Sequence, residues 1–223
     1  MQVFTPSYWR QSAAELKDIR KLVFSALMIA AYVMLSSVFI PLDGTGTLRI
    51  MTRFLPQVLI GAVCGPLMGF IAGFAADWLG TVLIPTGAPV FGLFITAAVR
   101  GFLYGLFLYR KPIAVSLGAT AAQVIARFTV CQFLVNALCH VGLNSLWFTL
   151  ERTEGIFWPA FLANAVTRTA TNLLQWPFQV LLMVALCKAL WPSIREYGLG
   201  IRPYGEISGD NGREMKHVDD NLS

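Results

Sequence analysis

Apolar residues in this chain come in long runs rather than at the spacing of 2 or 3.6 that marks a half-buried strand or a surface helix. The runs cover residues 22–41, 54–83, 90–109, about 127–150 and 160–190, with polar residues gathered between them. Each is near or above the roughly 20 residues with which a helix crosses a hydrocarbon core about 30 Å thick. The run 54–83 is too long for one crossing, since as a single helix it would extend about 45 Å. It is interrupted once, at Gly65-Pro66, a pair that breaks helices. A break there makes six spans; an unbroken helix makes five.

The connections are read in the same way. Residues 13–21 predict a short amphipathic helix leading into the first run, which is longer than a signal-peptide core and is therefore expected to be retained. Residues 42–53 form a loop with a turn signal at Gly44-Thr45-Gly46-Thr47. Residues 113–126 are small and mildly apolar and predict an interfacial connection, with Arg127 at the mouth of the fifth span. The organisation expected is a cytoplasmic segment 1–20, a transmembrane domain 21–190 and a polar, disordered cytoplasmic tail 191–223.

Charge decides between five spans and six. With six spans and the N-terminus inside, Arg10, Lys17, Arg20, Lys21, Arg110, Lys111, Lys188, Arg195, Arg202, Arg213 and Lys216 are cytoplasmic, and Arg49, Arg53 and Arg152 are outside. With five spans, five positive charges lie inside and nine outside, against the positive-inside rule. The expected fold is therefore an all-α membrane protein of six transmembrane helices with both termini cytoplasmic.

Composition agrees and excludes several function classes. Of 223 residues, 56% are hydrophobic and 13% charged, about half the charge of a soluble domain, and the mean hydropathy is +0.63. No phosphate-cradling G-x-x-x-x-G-K-[ST] stretch is present, so energy from ATP must come from a partner. The net charge of +5 follows topology and gathers on no nucleic-acid-binding face. Cys64, Cys131, Cys139 and Cys187 stand singly in apolar runs and read as small core- or lipid-facing residues, with no metal-ligand spacing. Ser145 and His140 are not set in a G-x-S-x-G elbow, so no enzyme is expected.

Ionisable side chains at membrane depth are costly and by default functional. They are Asp77, Arg100 and Arg168, with His140 read as a core histidine. Counting along the spans puts Asp77, Arg168, Asn144 and Trp147 toward the outer side and Arg100 near the middle, beneath the outer loop that carries Arg49. Two readings stand. Asp77 and Arg100 neutralise each other while Arg168 snorkels to headgroups, or an excess of guanidinium groups receives an anion from outside, a task that suits arginine. In the second, Trp147, Phe91 and Phe94 supply flat walls for a ring. Small residues form a further pattern: Gly61, Gly65, Gly69 and Gly73 read as packing within the chain, whereas Ala26 and Ala30 fit either packing or docking of another membrane subunit.

The ordered stretches Leu48-Arg49-Ile50, Phe54-Leu55-Pro56, Gly65-Pro66, Ala76-Asp77-Trp78-Leu79-Gly80, Pro85-Thr86-Gly87-Ala88, Ala97-Ala98-Val99-Arg100-Gly101, residues 104–111 (YGLFLYRK), Asn144-Ser145-Leu146-Trp147 and Pro177-Phe178-Gln179 resemble the substrate-binding S components of energy-coupling factor (ECF) vitamin transporters, the folate family in particular. The resemblance covers residues 20–190. It implies a multi-pass protein of the bacterial plasma membrane that takes a vitamin from outside, with folate expected. It also implies a transmembrane coupling subunit that docks on Ala26 and Ala30, and two cytosolic ATPase subunits that use the ATP. No cofactor of its own is expected. Arg49, Asp77, Arg100, Asn144 and Arg168 carry over as ligand contacts or gate supports, with Phe91, Trp147 and Asn172 completing the expected binding set. The chain departs from the family pattern at Thr171, where a lysine is usual, and at Val90-Phe91-Gly92, where Phe-Pro-Gly is usual. Another vitamin, or a stand-alone ion-coupled carrier, remains the alternative.

Overall fold

A computed structural model of the chain describes residues 6–37, 39–41, 49–84, 90–109, 121–152 and 157–196. In chain order its elements are α1 (Pro6–Glu15), α2 (Ile19–Leu35), strands β1 (Phe39–Pro41) and β2 (Arg49–Met51), α3 (Phe54–Cys64), α4 (Pro66–Leu83), α5 (Phe91–Leu108), α6 (Ala121–Val135), a π-helical segment (Asn136–Leu143), α7 (Asn144–Arg152) and α8 (Phe157–Glu196). The fold is helical, with one short antiparallel pairing of β1 with β2 in the register Phe39↔Met51, Ile40↔Ile50 and Pro41↔Arg49. Among the described residues four helical stretches are long and apolar enough to cross a membrane: α4, α5, the continuous Ala122–Glu151 and Phe157–Leu190. Helix α3, with 11 residues, is about 17 Å long and does not by itself cover a hydrocarbon core.

The corner between α3 and α4 is where the sequence puts it. Gly65 has φ 91°, a left-handed value that glycine takes without steric cost. Pro66 then opens α4 at a position where no backbone N–H is needed. This corner lets α3 turn back into the bundle, where every residue except Leu55 is buried. Around it pack α2, α4, α5 and α8, and the core joins Val58, Ile60, Val63 and Met68 to Tyr104, Phe128 and Met183.

The glycine series acts within the chain. A Cβ on Gly69 would run into the Gly101 carbonyl and one on Gly101 into that of Gly69, while Gly73 faces the Ala97 carbonyl and Gly105 faces Pro66. Helices α4 and α5 therefore meet backbone to backbone, a closeness that only small residues allow.

Several boundaries differ from the sequence reading. The amphipathic stretch 13–21 is not one helix: α1 ends at Glu15, and Asp18 caps α2 by accepting from the Arg20 N–H at 3.0 Å. The first apolar run does not stay helical to residue 41. Helix α2 stops at Leu35, Ser36 Oγ turns back to the Tyr32 carbonyl, and Phe39–Pro41 goes into the strand pair. Its partner β2 takes residues expected to be loop. Finally, α6 starts at Ala121, six residues before Arg127, so residues 121–126 belong to the helix and not to a connection. Helix α8 runs to Glu196, past residue 190, and residues 197–223 of the expected tail lie outside the described residues, as do the turn at 44–47 and residues 113–120.

Candidate functional site

Arg100 projects from the middle of α5 and is 5% exposed. A guanidinium so placed needs partners, and two neighbouring helices supply them. Its Nε donates to Gln57 Oε1 on α3 at 2.6 Å, and its Nη2 to the Tyr32 hydroxyl on α2 at 3.2 Å. Gln57 is itself fixed, donating from Nε2 to the Ala97 carbonyl at 3.0 Å. Tyr32 in turn donates to Asp77 Oδ1 on α4 at 2.7 Å. Asp77 is also approached by Arg53 Nη1 at 3.8 Å, and the Arg53 guanidinium stands 6.0 Å from the Tyr32 ring centroid. The polar groups thus form one chain, Gln57, Arg100, Tyr32, Asp77 and Arg53, in which Asp77 and Arg100 are linked through a phenol. Whatever charge compensation passes between these two runs through that phenol and not through a direct ion pair.

Arg168 comes from α8, half-buried, with its guanidinium 4.6 Å from the centroid of the Phe148 ring, a cation–π contact. Asn172 Nδ2 donates to the Arg168 carbonyl at 2.7 Å, so that amide is bonded to its own helix. The guanidinium groups of Arg53 and Arg100 border one region, joined through Tyr32 and Asp77, and that carboxylate is already engaged by Tyr32 and Arg53.

Helix α7 brings Asn144 and Trp147 to the N-terminal end of α5. The Trp147 ring lies so close over Gly92 that any Cβ there would overlap it. Asn144 Oδ1 and Trp147 Nε1 are both buried with no hydrogen-bond partner among the described residues. A buried acceptor and a buried donor left unsatisfied are expensive inside a protein. Phe91 does not join this interior. As the first residue of α5 it is 75% exposed, with its edge against Phe94, which at 4% exposure is the buried ring of the two. Arg49 lies in β2 opposite Pro41 and four residues before Arg53.

Ala26 and Ala30 are exposed on α2, on a face that also presents Leu22, Val23, Leu27 and Met34, while Ser25 and Tyr32 turn inward. The four cysteines are buried, Cys64 accepting from Ser25 Oγ at 3.4 Å. Sequence reasoning missed Tyr32, Gln57 and the engagement of Arg53. Gln57 carried a usable signal, as a lone amide in the apolar stretch 54–64; Tyr32 carried none, being one aromatic in a hydrophobic run.

Comparison with known proteins points to one transporter class, with riboflavin named in one description and folate in the others. The family model of the S component of ECF-type riboflavin transporters matches residues 17–190. A folate transporter FolT of Leuconostoc mesenteroides is 30% identical over 163 residues, 73% of this chain and 82% of that protein. A folate transporter FolT of Clostridium novyi is 24% identical over 173 residues, 78% of this chain and 91% of that protein. Among solved structures, a crystal structure of FolT bound with folic acid superposes with a TM-score of 0.60 at 25% identity, covering 76% of this chain and 93% of that one.

Proposed function

The chain belongs to the S-component family of ECF-type transporters, and from that premise we propose that it captures folate from outside the bacterial plasma membrane and passes it inward with an ATP-driven coupling module. The family is one of transporter subunits and not of enzymes. In this reading the helices make six crossings with both termini inside, α3 serving as a short second crossing that leans on the rest of the bundle. A transmembrane coupling subunit docks on the outward face of α2 at Ala26 and Ala30, and two cytosolic ATPases drive reorientation of the whole subunit.

The observation that carries the choice of ligand is the pair of guanidinium groups, Arg53 and Arg100, set about Tyr32 and a single carboxylate, Asp77, that is already engaged, with Arg168 as a further half-buried cation on α8. That excess of positive charge suits the glutamate carboxylates of folate. It offers little to riboflavin, the vitamin in the matched family's description, whose ring and sugar-alcohol chain carry no charge. In this reading Asn144 and Trp147 supply an acceptor and a donor for the edge of a pterin, which their unpartnered buried atoms support. Labelled folate should bind the detergent-purified protein tightly, and riboflavin should not compete. Tight riboflavin binding with no folate binding would overturn the choice of vitamin. Uptake in vesicles without any ATPase would overturn the dependence on a module. Ala26→Trp with Ala30→Trp should abolish uptake and spare binding, whereas loss of both would assign those residues to folding.

A further inference from the structure

A guanidinium has five N–H groups, and which of them are taken decides what Arg100 can still hold. Gln57 takes Nε and Tyr32 takes one hydrogen of Nη2. Nη1 makes no hydrogen bond among the described residues. It is the open side of the fork, from which a ligand carboxylate can be held.

The rival for that fork inside the protein is Asp77. A part-buried carboxylate and a buried guanidinium on neighbouring helices attract each other, yet no direct contact forms between them. The Tyr32 hydroxyl stands in the gap, accepting from Arg100 and donating to Asp77. Its position is tightly fixed. Tyr32 is 1% exposed, its ring lies where α4 carries no side chain, with a Cβ on Gly80 reaching to 3.7 Å from Cε1, and Arg53 stands over the ring. We infer that Tyr32 is a positioning residue that holds Asp77 away from Arg100 and so keeps the Arg100 fork open for the carboxylate of the transported ligand. This rests on the anionic ligand proposed above. It assigns Asp77 the part of anchor to Tyr32 and Arg53.

Tyr32→Phe removes the bridging oxygen and leaves the ring. Asp77 should then close on Arg100, and folate affinity should fall about tenfold to a hundredfold, the range for losing a hydrogen bond to a charged group. The diagnostic variant is Tyr32→Phe with Asp77→Asn, which removes the rival charge and should regain most of the lost affinity; a purely structural tyrosine would show no such rescue. Asp77→Glu, with Tyr32 untouched, lengthens the carboxylate past the phenol and should also weaken binding. Wild-type affinity in Tyr32→Phe, or a double variant no tighter than the single one, overturns the proposal and leaves the folate reading intact. Failure of the wild type to bind folate overturns that reading instead. The positioning role is then tested without ligand, by the crystal structure of Tyr32→Phe: Asp77 within about 3 Å of Arg100 supports it, and separated groups overturn it.

Discussion

Helices α4 and α5 and helix α8 carry the membrane-depth charges in opposite ways. The α4–α5 pair has backbone against backbone at Gly69 and Gly101, and the side chain it holds inward, Arg100, is bonded to two other helices. Helix α8 extends for 40 residues with many apolar side chains exposed, among them Leu162, Val166, Leu173, Leu174 and Leu181. Its polar stretch answers to itself: Thr167, Thr169 and Thr171 donate to the carbonyls of Ala163, Ala165 and Thr167. Arg168, on the same stretch, rests on one ring face. A charge can thus be kept in a membrane by a rigid network that fixes its direction, or by a self-satisfied helix that leaves it room to move. The first suits a group that must meet a ligand at a set angle. The second suits a group that can follow the ligand in.

The largest effect expected comes from breaking the rigid side. Gly101→Val places methyl groups against the Gly69 carbonyl, and because backbone cannot yield as a side chain does, it should cost about 3 kcal/mol or more. The check is loss of folded protein on size-exclusion chromatography, or a collapse of Tm. Next, Arg100→Ala should lower folate affinity about thirtyfold or more, the loss expected when one partner of a buried charge pair is truncated, about 2–5 kcal/mol. Arg168→Ala should cost about fivefold in binding, in keeping with the roughly 1 kcal/mol at most of a part-exposed ion pair. Arg168→Lys should keep most of that, whereas Arg100→Lys should behave nearly as badly as the alanine, because lysine lacks the fork. If the two arginines fall equally, the contrast between rigid and mobile sides is wrong. Smallest of all, Thr169→Val removes one local back-bond and should shift stability by no more than about 0.5 kcal/mol, read as an almost unchanged Tm.

What the sequence made legible was local or electrostatic. The corner at Gly65-Pro66 could be read because both residues act through their own backbone, and the inward glycines because their spacing puts them on one face. Arg100, Asp77 and Arg168 stood out because charge in an apolar run needs a reason. The end of α2 at Leu35 was hidden, since the apolar run continues and its change to strand depends on pairing with residues ten positions away. The early start of α6 was hidden because small residues such as Ala121 and Ala122 fit a connection or a helix equally well. At the site, the bridge through Tyr32 joins residues 45 and 68 positions apart, a relation that no spacing rule carries. The exposure of Phe91 follows from its place as the first residue of α5, and no run of apolar letters signals that.

The π-helical segment Asn136–Leu143 interrupts an otherwise continuous helix from Ala122 to Glu151. Up to its first residue, Gln132 and Asn136 turn to Gln179 on α8, and Gln132 also receives the Tyr104 hydroxyl; after it, Trp147 faces Gly92 on α5. Wider turns advance the helix by less angle per residue than the usual 100° or so, so the segment works as a phase shifter that lets one rod address two different neighbours. Removing a single residue from it would rotate everything beyond by about a quarter turn and swing Trp147 off the tip of α5, while the amide cluster below kept its alignment.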